Sequence, residues 1–175
     1  MGAALSWGKP VKLHELGRGP VRLDLEAGPE QRAEIAKRLK LQSLPALTAK
    51  VTVKPWLDGA ELTGRFDAVV EQVCGVTVEP FEQEVSGEID VRVVPAGSEH
   101  AAAPEGGDLE LDPDAPDAPD VLESDAIDVA GYVIEHLALE LDPFPRKPGV
   151  TFDYEAPETE TSPFAALKKL TEPKA

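Results

Sequence analysis

The sequence predicts an α+β fold with a mainly antiparallel sheet, left open or curled into a partly open barrel, and two principal helices. Three observations carry this expectation. Three stretches between residues 10 and 94 alternate apolar and polar residues with period two, as half-buried strands do. Two stretches, 29–40 and 125–141, repeat apolar residues every three or four positions, as amphipathic helices do. The order is strands, helix, strands, long loop, helix, tail, which suits α+β packing.

The elements follow in order. Val11 and Leu13 share one strand face, and Val21, Leu23 and Leu25 share another, with Gly17, Gly19 and Pro20 as the turn between them. Gly28-Pro29 opens the first helix, since proline at the first helical position lacks only an N–H that would go unused. Glu30 suits the positive end of the helix dipole. Ile35, Ala36 and Leu39 form the apolar stripe. Leu47, Ala49, Val51 and Val53 then alternate, Asp58-Gly59 signals a turn, and Leu62, Gly64, Phe66, Ala68 and Val70 resume period two. Residues 46–74 therefore read as a β-hairpin with Trp56 near its turn. A further strand runs from about Phe81 to Val94, with Val85, Ile89, Val91 and Val93 on its apolar side.

Residues 95–124 change character. Between Glu105 and Asp125 there are nine acids and no Lys or Arg, which predicts a solvated, flexible acidic loop. The second helix is expected to start near Ser124 or Asp125, either of which can cap it. Its stripe is Ile127, Ala130, Ile134, Leu137, Ala138 and Leu141, and Pro143 and Pro145 end it. A short extended piece, Gly149 to Phe152, follows. Residues 1–155 are thus expected to form a single α+β domain. Residues 156–175 add a Pro/Glu/Thr linker and a short C-terminal helix with Phe164, Leu167 and Leu170 on one side.

Composition narrows the function. The 175-residue chain carries a net charge of -16 and a single cysteine, Cys74, so an internal disulfide is ruled out. Such a charge keeps a protein soluble and repels polyanions and anionic membranes at long range. The charge is lopsided: residues 1–54 hold ten Lys/Arg against five Asp/Glu, and residues 55–175 hold seven against 28. The N-terminus has no basic, apolar signal-peptide pattern, and no run approaches the length of a membrane helix, so the cytoplasm is the expected compartment. Gly2 and Ser6 formally fit a myristoylation pattern, but no polybasic or second lipidation signal accompanies them.

Catalytic chemistry finds little purchase. His14, His100 and His136 fall in a strand, the acidic loop and a helix, and none has a second ligand at metal spacing. His136 beside Glu135 reads more plainly as an ordinary residue at the border of the helix stripe than as a general base. Cys74 has Glu71, Glu79 and Glu82 nearby in sequence, which would raise its pKa if they were close in space, so a buried, inert thiol is expected. The run Asp108-Leu109-Glu110-Leu111-Asp112 places acids at alternate positions like a calcium loop. However, Pro113 and Pro119 stand where an EF-hand needs Gly and Glu. Neither a phosphate loop nor a nucleophile elbow occurs. The expectation is no enzyme, no cofactor and no metal.

Two surfaces are candidates for contact. Arg32, Lys37, Arg38 and Lys40 crowd the first helix and could meet phosphates or an acidic protein face, or could simply be solvated. Phe164, Leu167 and Leu170 could dock on a partner as a helix in a groove, or pack on their own domain.

Three blocks together resemble the YceD family, the large ribosomal RNA subunit accumulation proteins, with a pattern similar to its alphaproteobacterial branch. The first is the block from Thr63 to Pro80, including Gly64-Arg65-Phe66-Asp67 and Val73-Cys74-Gly75-Val76-Thr77. The second runs from Ile127 through Tyr132 to Asp142-Pro143-Phe144-Pro145-Arg146. The third is Ser162-Pro163-Phe164-Ala165-Ala166-Leu167-Lys168-Lys169-Leu170. Many members carry Cys-x-x-Cys in the central block, whereas Thr77 occupies the second cysteine position here, so no metal or redox role carries over from them. The resemblance implies a bacterial, non-enzymatic factor that supports synthesis, processing or stability of 23S ribosomal RNA. Its partner would be ribosomal RNA, a ribosomal protein or an assembly factor, with no small-molecule substrate. An acidic protein-binding adaptor unrelated to ribosome assembly is the alternative reading, and a hydrolase using His136 or Cys74 is a third.

Overall fold

Three long strands dominate the architecture, and their alternation decides which side the helices cover. The computed structural model describes Trp7, residues 10–101 and residues 118–153. β1 (Val11–Lys12) leads into a 3₁₀ helix (Leu13–Arg18), and β2 (Val21–Glu26) follows. Next come α1 (Pro29–Leu39), β3 (Ser43–Trp56), β4 (Gly59–Val73) and β5 (Pro80–Pro95). β6 (Asp120–Leu122), β7 (Ala126–Ile127) and α2 (Val129–Glu140) complete the described elements.

The main sheet has five strands in the order β2-β3-β4-β5-β6. Its first four strands are antiparallel, and β6 joins β5 in parallel. The sheet is open, with β2 and β6 as its edges, so the barrel alternative is not realised. A second, two-stranded sheet pairs β1 with β7, Val11 opposite Ile127, and ties the start of the chain to the start of α2.

One side of the main sheet is apolar. Leu47, Ala49, Val51 and Val53 of β3 face inward with Leu62, Phe66, Ala68 and Val70 of β4 and Val85, Ile89 and Val93 of β5. α1 packs on β3, while α2 lies over β5 and β4. α1 contributes Ile35 and Ala36 to the core; α2 contributes Val129, Ala130, Val133, Ile134 and Leu137. Phe66 is fully buried opposite Gly87, where any Cβ would lie 2.7 Å from the Phe66 ring. Glycine at that one position makes room for the ring beneath α2. Gly59 serves a similar purpose at the hairpin, because a Cβ there would overlap the Val93 carbonyl.

Several sequence expectations need correction. Leu13 and His14, read as part of a strand that leads to a turn at Gly17, instead begin the 3₁₀ helix of residues 13–18, in which only Leu16 is buried. The hairpin turn is Leu57-Asp58, with Leu57 in the left-handed region at φ 51°, and Gly59 already belongs to β4. The expected loop 95–124 is shorter at both ends, since β5 runs to Pro95 and β6 occupies 120–122. α2 is capped by Asp128, whose Oδ1 accepts the Gly131 N–H at 3.0 Å, rather than by Ser124 or Asp125. The reason is β7: Ala126 and Ile127 are extended to pair with β1, so the helix cannot begin before them. Within its stripe, Val133 is buried and Ala138 is exposed. Gly149 lies in a turn at φ 81°, and residues 150–153 have no regular structure. The acidic stretch 102–117 and the tail with Phe164, Leu167 and Leu170 lie outside the described residues.

Burial of Phe66 makes a direct test of the core. Phe66→Ala is expected to destabilise the fold by about 3–5 kcal/mol, because it leaves a cavity under α2. Gly87→Val is expected to cost about 1–3 kcal/mol by overpacking the same point. Urea unfolding followed by circular dichroism checks both. Combining the two should cost less than their sum, since the valine would enter the space the ring vacates.

Candidate functional site

α1 begins on Gly28-Pro29 and ends when Lys40 turns left-handed at φ 58°. The four cations predicted as a contact surface do not lie on one face. Arg32 is half-buried, and its guanidinium donates to the Ala27 carbonyl at 3.2 Å, which ties the helix start to the chain before it. Lys37, Arg38 and Lys40 are exposed. At about 100° per residue, Glu30 and Glu34 fall between Lys37 and Arg38 on the outer face. Both acids are exposed, so this face carries two charges of each sign. A groove of about 530 Å³ runs beside the helix, lined by Arg32, Ala33, Lys37, Leu41 and Leu44 among others.

The histidines stay apart. His14 is exposed on the 3₁₀ helix. His100 lies 3.7 Å from Glu99. His136 Nδ1 is 2.8 Å from the Tyr132 carbonyl, one helical turn back. Among the described residues no three His, Cys, Asp or Glu side chains are grouped to hold a metal ion. Around the start of α2, Asp120, Glu123, Asp128 and Glu135 rim an open groove of about 670 Å³. Burial, and next the Asp120 carboxylate, hold the Tyr132 hydroxyl well above its usual pKa.

Cys74 departs most from its sequence reading. It is buried at the end of β4, in a tight turn closed by Val78 N–H to the Cys74 carbonyl and Cys74 N–H to the Glu79 carbonyl, both at 2.9 Å. The Cys74 Sγ accepts the Thr77 N–H at 3.5 Å and the Lys147 N–H at 3.4 Å. Gly75 N–H donates to the Pro145 carbonyl at 2.8 Å, and the Lys147 ammonium pairs with Glu79 at 3.1 Å. The turn thus clasps the segment that follows α2. The Thr77 hydroxyl, followed by the Lys147 and Thr77 backbone N–H groups, pulls the thiol down to about 6. The neighbouring acids do not raise it, because donors aimed at the sulfur favour the thiolate. Thr77 is therefore a donor here. The role of Lys147 had no signal in the sequence, because it lies 73 residues away.

The side of the sheet away from the helices is polar. Near the hairpin, Glu61 pairs with Lys54 and, at 3.4 Å, with Arg92. The Lys54 ammonium, more than the Arg92 guanidinium, keeps the Glu61 carboxyl below its usual range despite an opposing effect of burial. Arg92 also sits over the Trp56 ring, 5.4 Å from its centroid. Sequence reasoning missed this cluster, although counting back from the Asp58-Gly59 turn places Lys54 opposite Glu61. Among the described residues no helix is long and apolar enough to cross a membrane.

The thiolate clasp has a pH signature. The thiol pKa is about 6 folded against an ordinary 9.0, so its contribution is complete above about pH 9 and is lost as pH falls through 6. The urea midpoint of the wild type should therefore exceed that of Cys74→Ala most at pH 9, with the gap narrowing toward pH 6. A gap independent of pH would mean the sulfur is neutral throughout.

Comparison with curated proteins found no match, and neither did comparison with solved structures. A family model described as "Large ribosomal RNA subunit accumulation protein YceD" matches residues 62–171. The match begins in β4 and takes in β5, the Cys74 turn, α2 and the Phe164–Leu170 tail. It spans well over half of the sequence, in the order in which the three sequence blocks occur, and the chain belongs to the YceD family.

Proposed function

We propose that this protein is a non-enzymatic, cytoplasmic factor that supports the synthesis, processing or stability of 23S ribosomal RNA. Family membership over residues 62–171 is the observation that carries the reading. The scatter of His14, His100 and His136 supports the non-enzymatic part, since a general base needs a nucleophile or substrate-orienting group beside it. Cys74, the sole cysteine, is buried with its sulfur already engaged by backbone donors. A factor with a net charge of -16 gains little from direct contact with a polyanion. Contact through a ribosomal protein or an assembly factor is therefore the favoured route, with direct rRNA contact through Lys37, Arg38 and Lys40 as the lesser one.

Depleting the protein should lower 23S relative to 16S ribosomal RNA, measured on total RNA, and an unchanged ratio would overturn the reading. Complementation by His14→Ala, His100→Ala or His136→Ala should restore the ratio fully. A folded, expressed histidine variant that failed to rescue would instead indicate catalysis.

A further inference from the structure

In the half of the polar side away from the hairpin, Thr48, Asp67, Glu82, Glu84 and Ser86 are exposed, and the charges are laid out in register. Across β3, β4 and β5 the outward rows read Lys50–Arg65–Glu88, Thr48–Asp67–Ser86, Ala46–Val69–Glu84 and Ser43–Glu71–Glu82. The first row is a cationic pair beside one acid. The last three rows carry four carboxylates and no cation. Asp67 is held by Arg65 at 2.7 Å and Glu71 accepts the Ser43 hydroxyl at 2.6 Å. Glu82 and Glu84 are exposed and have no ion pair among the described residues. Glu71 stands directly opposite Glu82, a like-charge pairing that opposes strand association.

A groove of about 510 Å³ lies in this half of the face, lined by Ala46, Thr48, Asp67, Val69, Glu84 and Ser86 among others. It lies beside the point where the β3 register slips between Ser43 and Ala46, around Pro45, which has no N–H for the ladder. Its floor is apolar, Ala46 and Val69, and carboxylates stand on two sides, Asp67 and Glu84. That chemistry suits a long basic side chain, with the aliphatic stem on the floor and the cationic head between the acids.

We propose that this half of the sheet face binds an extended, lysine- and arginine-rich segment of a protein partner, with one basic side chain seated in the groove over Ala46 and Val69. Charge complementarity selects this occupant. A nucleic acid would bring phosphates against Asp67, Glu71, Glu82 and Glu84. A second copy would bring a net charge of -16 and an α1 surface whose Lys37 and Arg38 are interleaved with Glu30 and Glu34. The inference rests on the proposed function and deepens it. A protein that holds ribosomal RNA must itself be basic to neutralise phosphates. An acidic factor can then reach the RNA through the basic segments of such a protein.

The test titrates the full-length protein with a fluorescein-labelled twelve-residue peptide of alternating lysine and threonine, followed by anisotropy and by amide shifts of the ¹⁵N-labelled protein. Binding should weaken with salt, and the shifts should centre on residues 46–48, 67–69 and 82–86. Glu82→Lys/Glu84→Lys should weaken binding at least tenfold. Glu30→Lys/Glu34→Lys, an equal charge change on α1, should alter it less than twofold. Urea midpoints check that both variants fold, and the first removes the Glu71–Glu82 opposition. Equal weakening by both variants, shifts centred elsewhere, or tighter binding of a twelve-nucleotide single-stranded RNA at the same amides would overturn the proposal. In depleted cells, full rescue of the 23S to 16S ratio by Glu82→Lys/Glu84→Lys would also overturn it while leaving the function intact. An unchanged ratio on depletion alone would remove the function, and the peptide titration would still decide whether the face binds basic segments.

Discussion

The register of β3, β4 and β5 is the constraint on which the rest of the molecule depends. Phe66 opposite Gly87 fixes it physically, because only a glycine there leaves space for the buried ring. A slip of one residue would turn Leu62, Phe66, Val70, Ile89 and Val93 to solvent and bury Lys, Arg and Glu in their place. The register therefore decides at once which side α1 and α2 can cover. It also decides where Cys74 stands at the end of β4, and which charges line up on the open side. The other pairings are shorter: β2 with β3 is six residues, β6 with β5 three and β1 with β7 two.

What the sequence revealed follows from the same fact. Period-two alternation over more than ten residues is a strong local signal, and it located the three long strands. Pro29 marked the start of α1 because a proline N1 needs nothing from the rest of the fold. The larger failures are places where a distant segment overrides a local preference. Val11 and Leu13 look like one strand, but β7 offers partners only for residues 11 and 12, so the chain curls into a 3₁₀ turn. Asp125 is a good cap by type, yet pairing of Ala126 and Ile127 moves the cap to Asp128. β6 has three residues in an acidic stretch and pairs with a strand end 27 positions earlier, Val93 with Asp120. No local pattern could announce that pairing.

The contact surfaces were legible only as inventories. The cations of α1 could be counted from the sequence, and the helical angle even places Glu30 and Glu34 among them. What sequence could not give was the diversion of Arg32 to the Ala27 carbonyl. Cys74 shows the limit more sharply. Its sequence neighbours are acids, which argues for a raised pKa, but its spatial neighbours are N–H donors. Short-range donors to the sulfur outweigh carboxylates that do not touch it, because hydrogen bonds to the charged form act at contact distance while solvent screens the rest.

The open sheet face shows how fold and charge come apart. Cross-strand ion pairs at Glu61 use opposite charges to support the hairpin end, each worth a few tenths to about 1 kcal/mol. At the other end the same ladder opposes Glu71 to Glu82 and gives Glu82 and Glu84 no ion pair among the described residues, which forgoes similar support. Nothing in the core requires this, because all three side chains point away from it. An arrangement that serves stability would alternate signs here, as it does around Glu61. A net negative end beside an apolar floor is instead what a cationic chain would complement. The cost falls on an exposed face that the buried rows of Phe66, Val70 and Ile89 can carry without loss of the fold.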